Sequence, residues 1–205
     1  MGIVKAHLAV SLDGYIAGPN AGPGNPLGDG GERVHEWVYE LAVWRGAQGL
    51  TGGEHNRDNE ILTEATASVG ATIMGRRMFD TGEEPWGDNP PFHTDVFVLT
   101  SSPREPLAGE GGTTFIFVTD GIDRAMELAR AAAGDQDISV AGGAETIRRF
   151  LRAGLLDELL IHQSPVVLGG GVRLFDGPDL ADVRLEPVRV DGTASVTHLH
   201  YRAAR

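Results

Sequence analysis

The chain has 205 residues, 41% of them hydrophobic and 22% charged, enough to bury a substantial core as one domain over residues 1–205. A net charge of −12 argues against nucleic-acid or anionic-membrane partners, whose binding needs a basic face. The absence of cysteine excludes disulfides, thiolate metal sites and thiol nucleophiles. No stretch reads as a signal peptide or as the ~20 apolar residues of a membrane span, so a cytoplasmic protein is expected.

Taken in chain order, residues 3–11 form a nearly continuous apolar run, the pattern of a buried strand. Residues 18–31 are rich in Gly, Pro, Asn and Asp and predict a loop. Over residues 32–45, Val34, Trp37, Val38, Leu41 and Trp44 recur at helical spacing. Residues 59–68 predict a second helix, capped by Asp58 or Asn56. Residues 71–74, 95–99 and 114–118 read as short buried strands. Asp120 or Asp123 starts a helix through Ala125, Met126, Leu128 and Ala129. A strand at 138–140 then stops at Gly142-Gly143, and Ile147, Phe150 and Leu151 mark the helix that follows. Residues 156–168 predict a long strand region interrupted by Pro165, with a turn at Gly169-Gly170-Gly171. Residues 183–190 and 194–201 alternate as a closing antiparallel hairpin around Asp191-Gly192. The whole predicts a three-layer α/β domain with a mixed sheet.

Several chemistries leave no trace. G-x-G-x-x-G, the phosphate loop G-x-x-x-x-G-K-[ST], G-x-S-x-G and H-E-x-x-H are all missing, which disfavours standard Rossmann dehydrogenases, P-loop NTPases, α/β-hydrolases and zincins. Four segments carry what signal there is. Ser11-Leu12-Asp13-Gly14 turns at the end of the first strand. Met74-Gly75-Arg76-Arg77 ends a strand and opens a helix; arginines there oppose the helix dipole, a conflict that a bound phosphate relieves. Thr100, Ser101, Ser102 and Arg104 follow another strand end. Ala141-Gly142-Gly143-Ala144-Glu145-Thr146 joins strand to helix and presents free N–H groups to an anion. In a chain without a basic patch, this set points to a nucleotide cofactor. His198 and His200 share a strand face but lack a third ligand nearby in the sequence, so no metal site is expected.

The order S-x-D-G-x-I-A, M-G-R, L-[ST]-S, G-G-A before a helix, and P-V-x-L-G-G-G-x-x-L-F resembles the dihydrofolate-reductase-like superfamily. More narrowly it resembles the group of the reductase domain of the bifunctional riboflavin-biosynthesis deaminase/reductase. The resemblance implies a mixed, mainly parallel sheet of about eight strands with an antiparallel C-terminal hairpin, and NADPH/NADP lying across the strand ends. It implies that Ala9, Ile16 and the Asp13-Gly14 turn line the nicotinamide side. Gly75, Arg76 and Arg77 would grip the adenosine phosphates, and Thr100, Ser101 and Ser102 the 2′-phosphate. Ala141, Gly142, Gly143, Ala144, Glu145 and Thr146 would hold the pyrophosphate. A homodimer is implied too, with Pro165-Val166-Val167-Leu168 at its interface.

Two departures bear on the substrate. The riboflavin reductases carry a Lys four residues before the Ser of S-x-D-G, where this chain has His7, and a Glu before the Gly pair, where it has Ala141. Dihydrofolate reductases place a carboxylate on the first helix; Glu32 and Glu36 are the positional candidates, beside His35. The expected activity is hydride transfer from NADPH to an unassigned small heterocycle, with Asp13 and Glu36 as catalytic candidates. The alternatives are a genuine pterin or ribosylpyrimidine reductase, a flavin-assisted reductase, and a nucleotide-binding protein without turnover.

Overall fold

The computed structural model describes residues 2–177 and 180–204. Its strands are β1 (Val4–Ser11), β2 (Tyr15–Ala17), β3 (Val69–Gly75), β4 (Asp95–Leu99), β5 (Leu107–Ala108) and β6 (Thr114–Val118), then β7 (Asp137–Gly142), β8 (Glu158–Ser164), β9 (Val172–Arg173), β10 (Arg184–Gly192) and β11 (Thr197–Ala204). The α-helices are α1 (Ala42–Ala47), α2 (Arg57–Thr66), α3 (Arg76–Trp86), α4 (Gly121–Ala133) and α5 (Ala144–Arg152). Nine strands form one sheet in the order β10-β11-β8-β1-β7-β3-β4-β6-β5, and β2 pairs with β9 in a separate ribbon. From β8 to β6 all neighbours run parallel, whereas β10, β11 and β5 are antiparallel to theirs.

Strand periodicity explains the layers. In β3 and β4, Ala71, Ile73, Phe97 and Leu99 point to the face covered by α4 and α5, packing on Met126, Ala129, Ile147 and Phe150. The intervening Met74, Val96 and Val98 point to the other face, where α3 lays Phe79 against Phe115. The central strands are buried on both sides, which is why they read as continuous apolar runs.

Three expectations need correcting. Residues 32–45 do not form one helix. They make two 3₁₀ turns, Gly31–Val34 and Glu36–Val38, before the short α1. Leu41 is extended, because Glu54 N–H donates to Glu40 O and Ala42 N–H to Glu54 O, pulling the chain out of helical form. Val, His, Trp and Tyr also hold that segment's helix propensity low. Secondly, β8 stops at Ser164, since Pro165 cannot continue the ladder. Thirdly, the closing hairpin turns at residues 193–196, not at Asp191-Gly192. Thr193 Oγ1 accepts the Ser195 and Val196 N–H groups and so nucleates the turn two residues later. Elsewhere, β4 and β6 have the expected bounds, and Asn56 caps α2 by accepting the Asn59 N–H.

Candidate active site

The register brings the glycine-bearing strand ends side by side. Met74 stands opposite Gly142 and Gly75 opposite Leu99, so β7, β3 and β4 release their chains on one edge of the sheet, where open α/β sheets bind ligands. Two helices start there. Gly75 is the N-cap of α3 and Gly143 that of α5, and neither helix has a side chain bonded to its first N–H groups. The two starts touch: a Cβ on Gly75 would lie 2.5 Å from Thr146 Oγ1. Gly142 adopts φ +130°, a conformation that favours glycine, and the space above Gly143 is open. The peptide between them is cis. Two adjacent uncapped N-termini concentrate partial positive charge, a fit for a diphosphate. A concavity of about 670 Å³ lies instead at the β5 edge and is lined by Glu83, Glu84, Asp88 and Glu110. Four carboxylates make it hostile to a phosphate-rich molecule.

Most of the side chains expected to hold phosphate are engaged with the protein. Arg76 pairs with Asp80 at 2.6 Å. Arg77, exposed, donates to Ala21 O at 2.6 Å and thereby docks the 18–31 loop on α3. Thr100 Oγ1 accepts the Ser102 N–H at 3.1 Å and shapes its own turn, leaving Ser101 and Ser102 exposed. Arg104 is held by Glu83. Glu145 is clamped by Arg148 and Arg152, whose hydrogen bonds hold its carboxyl below the usual range. Ala144 and Thr146 are buried, Ala9 and Ile16 half-buried, and Ala141 packs with the Phe79 cluster.

Asp13 acts as a clasp. It accepts Ser11 Oγ at 2.7 Å, Leu168 N–H at 3.1 Å and Gly169 N–H at 2.7 Å. The Ser11 hydroxyl, with those two amides, holds its carboxyl down at about 2. The clasp ties the turn after β1 to the 165–171 segment. Gly171, φ +121°, lies against Ala17 O so closely that no side chain would fit. Glu32 and Glu36 are both exposed on the 3₁₀ turns.

On the far side of β1 lies a group of imidazoles that sequence reasoning saw only piecemeal. His162 stands opposite Ala9 on one neighbour and His198 on the other. His162 Nδ1 and His198 Nδ1 are 2.7 Å apart, and His198 Nε2 is 2.9 Å from Asp58 Oδ1. Trp37 covers both rings, at centroid distances of 4.9 and 5.5 Å, and His7 meets His162 edge-on at 5.9 Å. Ser164 Oγ donates to Val34 O at 2.6 Å and anchors the covering turn. Burial pushes His7 down to about 4, aided by Lys5, and brings His35 down to about 4. Burial, with His7, His198 and His35 around it, holds His162 well below 6.5. His200 stands apart, paired with Glu158 at 3.0 Å. Strand pairing was the signal that could have joined His162 to His198, because β8 and β11 alternate in register.

This architecture is the dihydrofolate-reductase-like fold. The Enterococcus faecalis dihydrofolate reductase, solved with NADP(H), superposes with a TM-score of 0.54 at 14% identity, covering 100% of this chain and 98% of that one. A Shewanella sp. PV-4 protein attributed to riboflavin biosynthesis superposes with a TM-score of 0.67 at 24% identity, covering 99% of each chain. Residues 3–199 match the RibD C-terminal domain family, and the chain belongs to that family. The uncharacterised protein YwjB of Bacillus subtilis (strain 168) is 30% identical over 201 residues, 95% of this chain and 94% of that one. Among the described residues no helix is long and apolar enough to cross a membrane.

Proposed function

We propose that this protein is an NADPH-dependent reductase of a small heterocycle. The observation that carries the reading is the pair of touching, uncapped helix starts at Gly75 and Gly143, beside adjacent parallel strand ends. Family membership supports it. When bound, NADPH supplies a hydride. The N–H groups of Ala144, Glu145 and Thr146 would bind the diphosphate. Arg76 and Arg77, at the start of α3, and Thr100, Ser101 and Ser102, after β4, would take the adenosine end. Ala9 and Ile16 would bound the ring, with Ala141 flanking the diphosphate turn. Asp13 would act by fixing the turn beside it rather than by moving a proton, since its oxygens already accept three hydrogen bonds. Glu36, exposed on its turn, would reach a substrate only if that turn moved.

The substrate pocket would lie on the His7 side of β1. A neutral imidazole at position 7 offers a hydrogen-bond partner without charge, which favours an uncharged heterocycle over a phosphorylated one. Leu12 and Val167 are 58% and 59% exposed on adjoining backbone, the apolar surface a homodimer would cover. The protein would work as a metabolic enzyme of the cytoplasm, on a small molecule and not on nucleic acid. Calorimetric titration with NADPH, NADP and NADH tests the assignment. Preference for NADPH, with its consumption in the presence of reducible pterins or pyrimidines, is the expected outcome. Binding without turnover would leave a nucleotide-binding protein, and no binding would leave the shared fold alone.

A further inference from the structure

We propose that Asp58, His198 and His162 form a proton relay whose open end, His162 Nε2, hands a proton to the substrate as it takes up hydride. The inference rests on the reductase reading and adds the source of the proton. Its basis is a chain of contacts with a defined direction. Asp58, His198 and His162 are 3%, 1% and 2% exposed. The carboxylate oxygen of Asp58 accepts, so His198 Nε2 carries hydrogen. A neutral His198 then has a bare Nδ1. The 2.7 Å contact requires one donor and one acceptor, so His162 Nδ1 carries the hydrogen between the rings. This leaves His162 Nε2 as a bare lone pair, buried and without a hydrogen-bond partner.

A purely structural pair of histidines would have its outer nitrogens satisfied, because a buried unpaired polar atom costs ~1–3 kcal/mol. Here three ring nitrogens of one cluster are unpaired: His162 Nε2, Trp37 Nε1 and His35 Nε2. The Trp37 and His162 rings meet at a tilt of 45°, centroids 4.9 Å apart, so the indole covers the imidazole without satisfying it. Among the described residues no group of three or more His, Cys, Asp and Glu is placed to hold a metal. The covering 3₁₀ turn must lift for a substrate to reach it.

The relay also resolves an electrostatic problem. Burial and three neighbouring imidazoles oppose a cationic His162. An added proton need not rest there. If it enters at His162 Nε2, the Nδ1 hydrogen passes to His198 Nδ1, and the positive charge settles on His198 against the Asp58 carboxylate. His162 is then neutral, with hydrogen on Nε2 facing the substrate side. Discharge reverses the steps. The Nε2–H bond breaks as the substrate gains that proton, His198 Nδ1–H returns its hydrogen to His162 Nδ1, and His198 becomes neutral. The substrate's two electrons and its other hydrogen come as hydride from NADPH, so the reaction balances. The groups facing the relay are His7 from β1 with Lys5 behind it, His35 from the covering turn, and Asp191 with its partners Arg57 and Arg189. Glu158 and His200 pair with each other.

Histidine-selective nitrogen NMR on the full chain tests the relay, titrated from mildly alkaline to mildly acidic pH. The expected result is His162 with hydrogen on Nδ1 and His198 with hydrogen on Nε2 at the alkaline end. Both rings then change together at one midpoint, His162 gaining hydrogen on Nε2. In Asp58→Asn that midpoint falls by at least ~1 pH unit, the usual influence of a paired carboxylate. Independent midpoints, or alkaline His162 with hydrogen on Nε2, would overturn the relay, and the wild-type titration decides this even if Asp58→Asn fails to fold. NADPH calorimetry on the same samples separates the two readings. Binding with independent titrations sinks the relay alone; no binding sinks the reductase reading and the donor role with it.

Discussion

The two sides of β1 are built on opposite principles. On the side of β7 and β3 the proposed cofactor cradle is backbone: glycines, uncapped N–H groups and helix dipoles. On the side of β8 and β11 the polar cluster is side chain: imidazoles, an indole and one carboxylate, packed where most proteins of this size put hydrocarbon. A backbone cradle tolerates exchange of the side chains around it but not a Cβ at Gly75, where the two helix starts meet. An imidazole cluster tolerates neither loss of a partner nor a change of proton count. The two sides should therefore fail under different insults.

Acid should act first on the imidazole side, and most strongly. His7 and His35 are held at about 4 against an ordinary 6.5, mainly by burial. The unfolded chain binds more protons than the folded one between those values, so stability is full above pH 6.5. It falls as pH drops toward 4, by roughly 3 kcal/mol for each ring. Urea unfolding across that window should show the decline, and His7→Gln should shrink it. A flat stability profile would mean that both rings can be charged in place. Next, Asp58→Ala leaves His198 buried without its acceptor, and should cost about 3 kcal/mol in the same assay. NADPH affinity should be unchanged if the two sides are independent.

Gly75→Ala strikes the other side. Its Cβ would press on Thr146 Oγ1 and part the starts of α3 and α5. We expect about 1–2 kcal/mol of lost stability from overpacking, and NADPH binding weakened at least tenfold, read by calorimetry. Unaltered binding in a folded Gly75→Ala protein would separate the helix starts from the cofactor.

The contrast also explains what the sequence could disclose. The backbone side is local: a strand, glycines and a helix follow one another within a dozen residues at Gly75 and at Gly142-Gly143. Their chemistry can be read along the chain before any fold is known. The central strands were legible for the same reason, burial on both faces making an unbroken apolar run. The imidazole side draws on five segments, at His7, His35, Asp58, His162 and His198. Each taken alone is an ordinary buried or half-buried residue, and the β1–β8–β11 register that brings His7, His162 and His198 together is not visible along the chain. The segment over them forms 3₁₀ turns although Val34, Trp37, Val38 and Leu41 keep helical spacing. The force that broke the helix, the bridge from Glu54 to Glu40 and Ala42, comes from outside that window.

The smallest expected effect concerns the outer rim of the backbone side, where side chains do contribute. Arg77 rests on Ala21 O at an exposed position, and Ser101 is exposed beside it in the proposed binding order. A cofactor 2′-phosphate would have to draw Arg77 off that carbonyl, so part of the new charge-assisted bond replaces one already made. Arg77→Ala should therefore weaken NADPH by only about 1 kcal/mol, several-fold in affinity. It should leave NADH binding nearly unchanged if Arg77 reads the 2′-phosphate. It should also free the 18–31 loop, which limited proteolysis would detect as faster cleavage near Ala21. Equal losses for both cofactors would place Arg77 on the diphosphate instead. The division between backbone and side-chain recognition would then run within the cofactor site, and not only across β1.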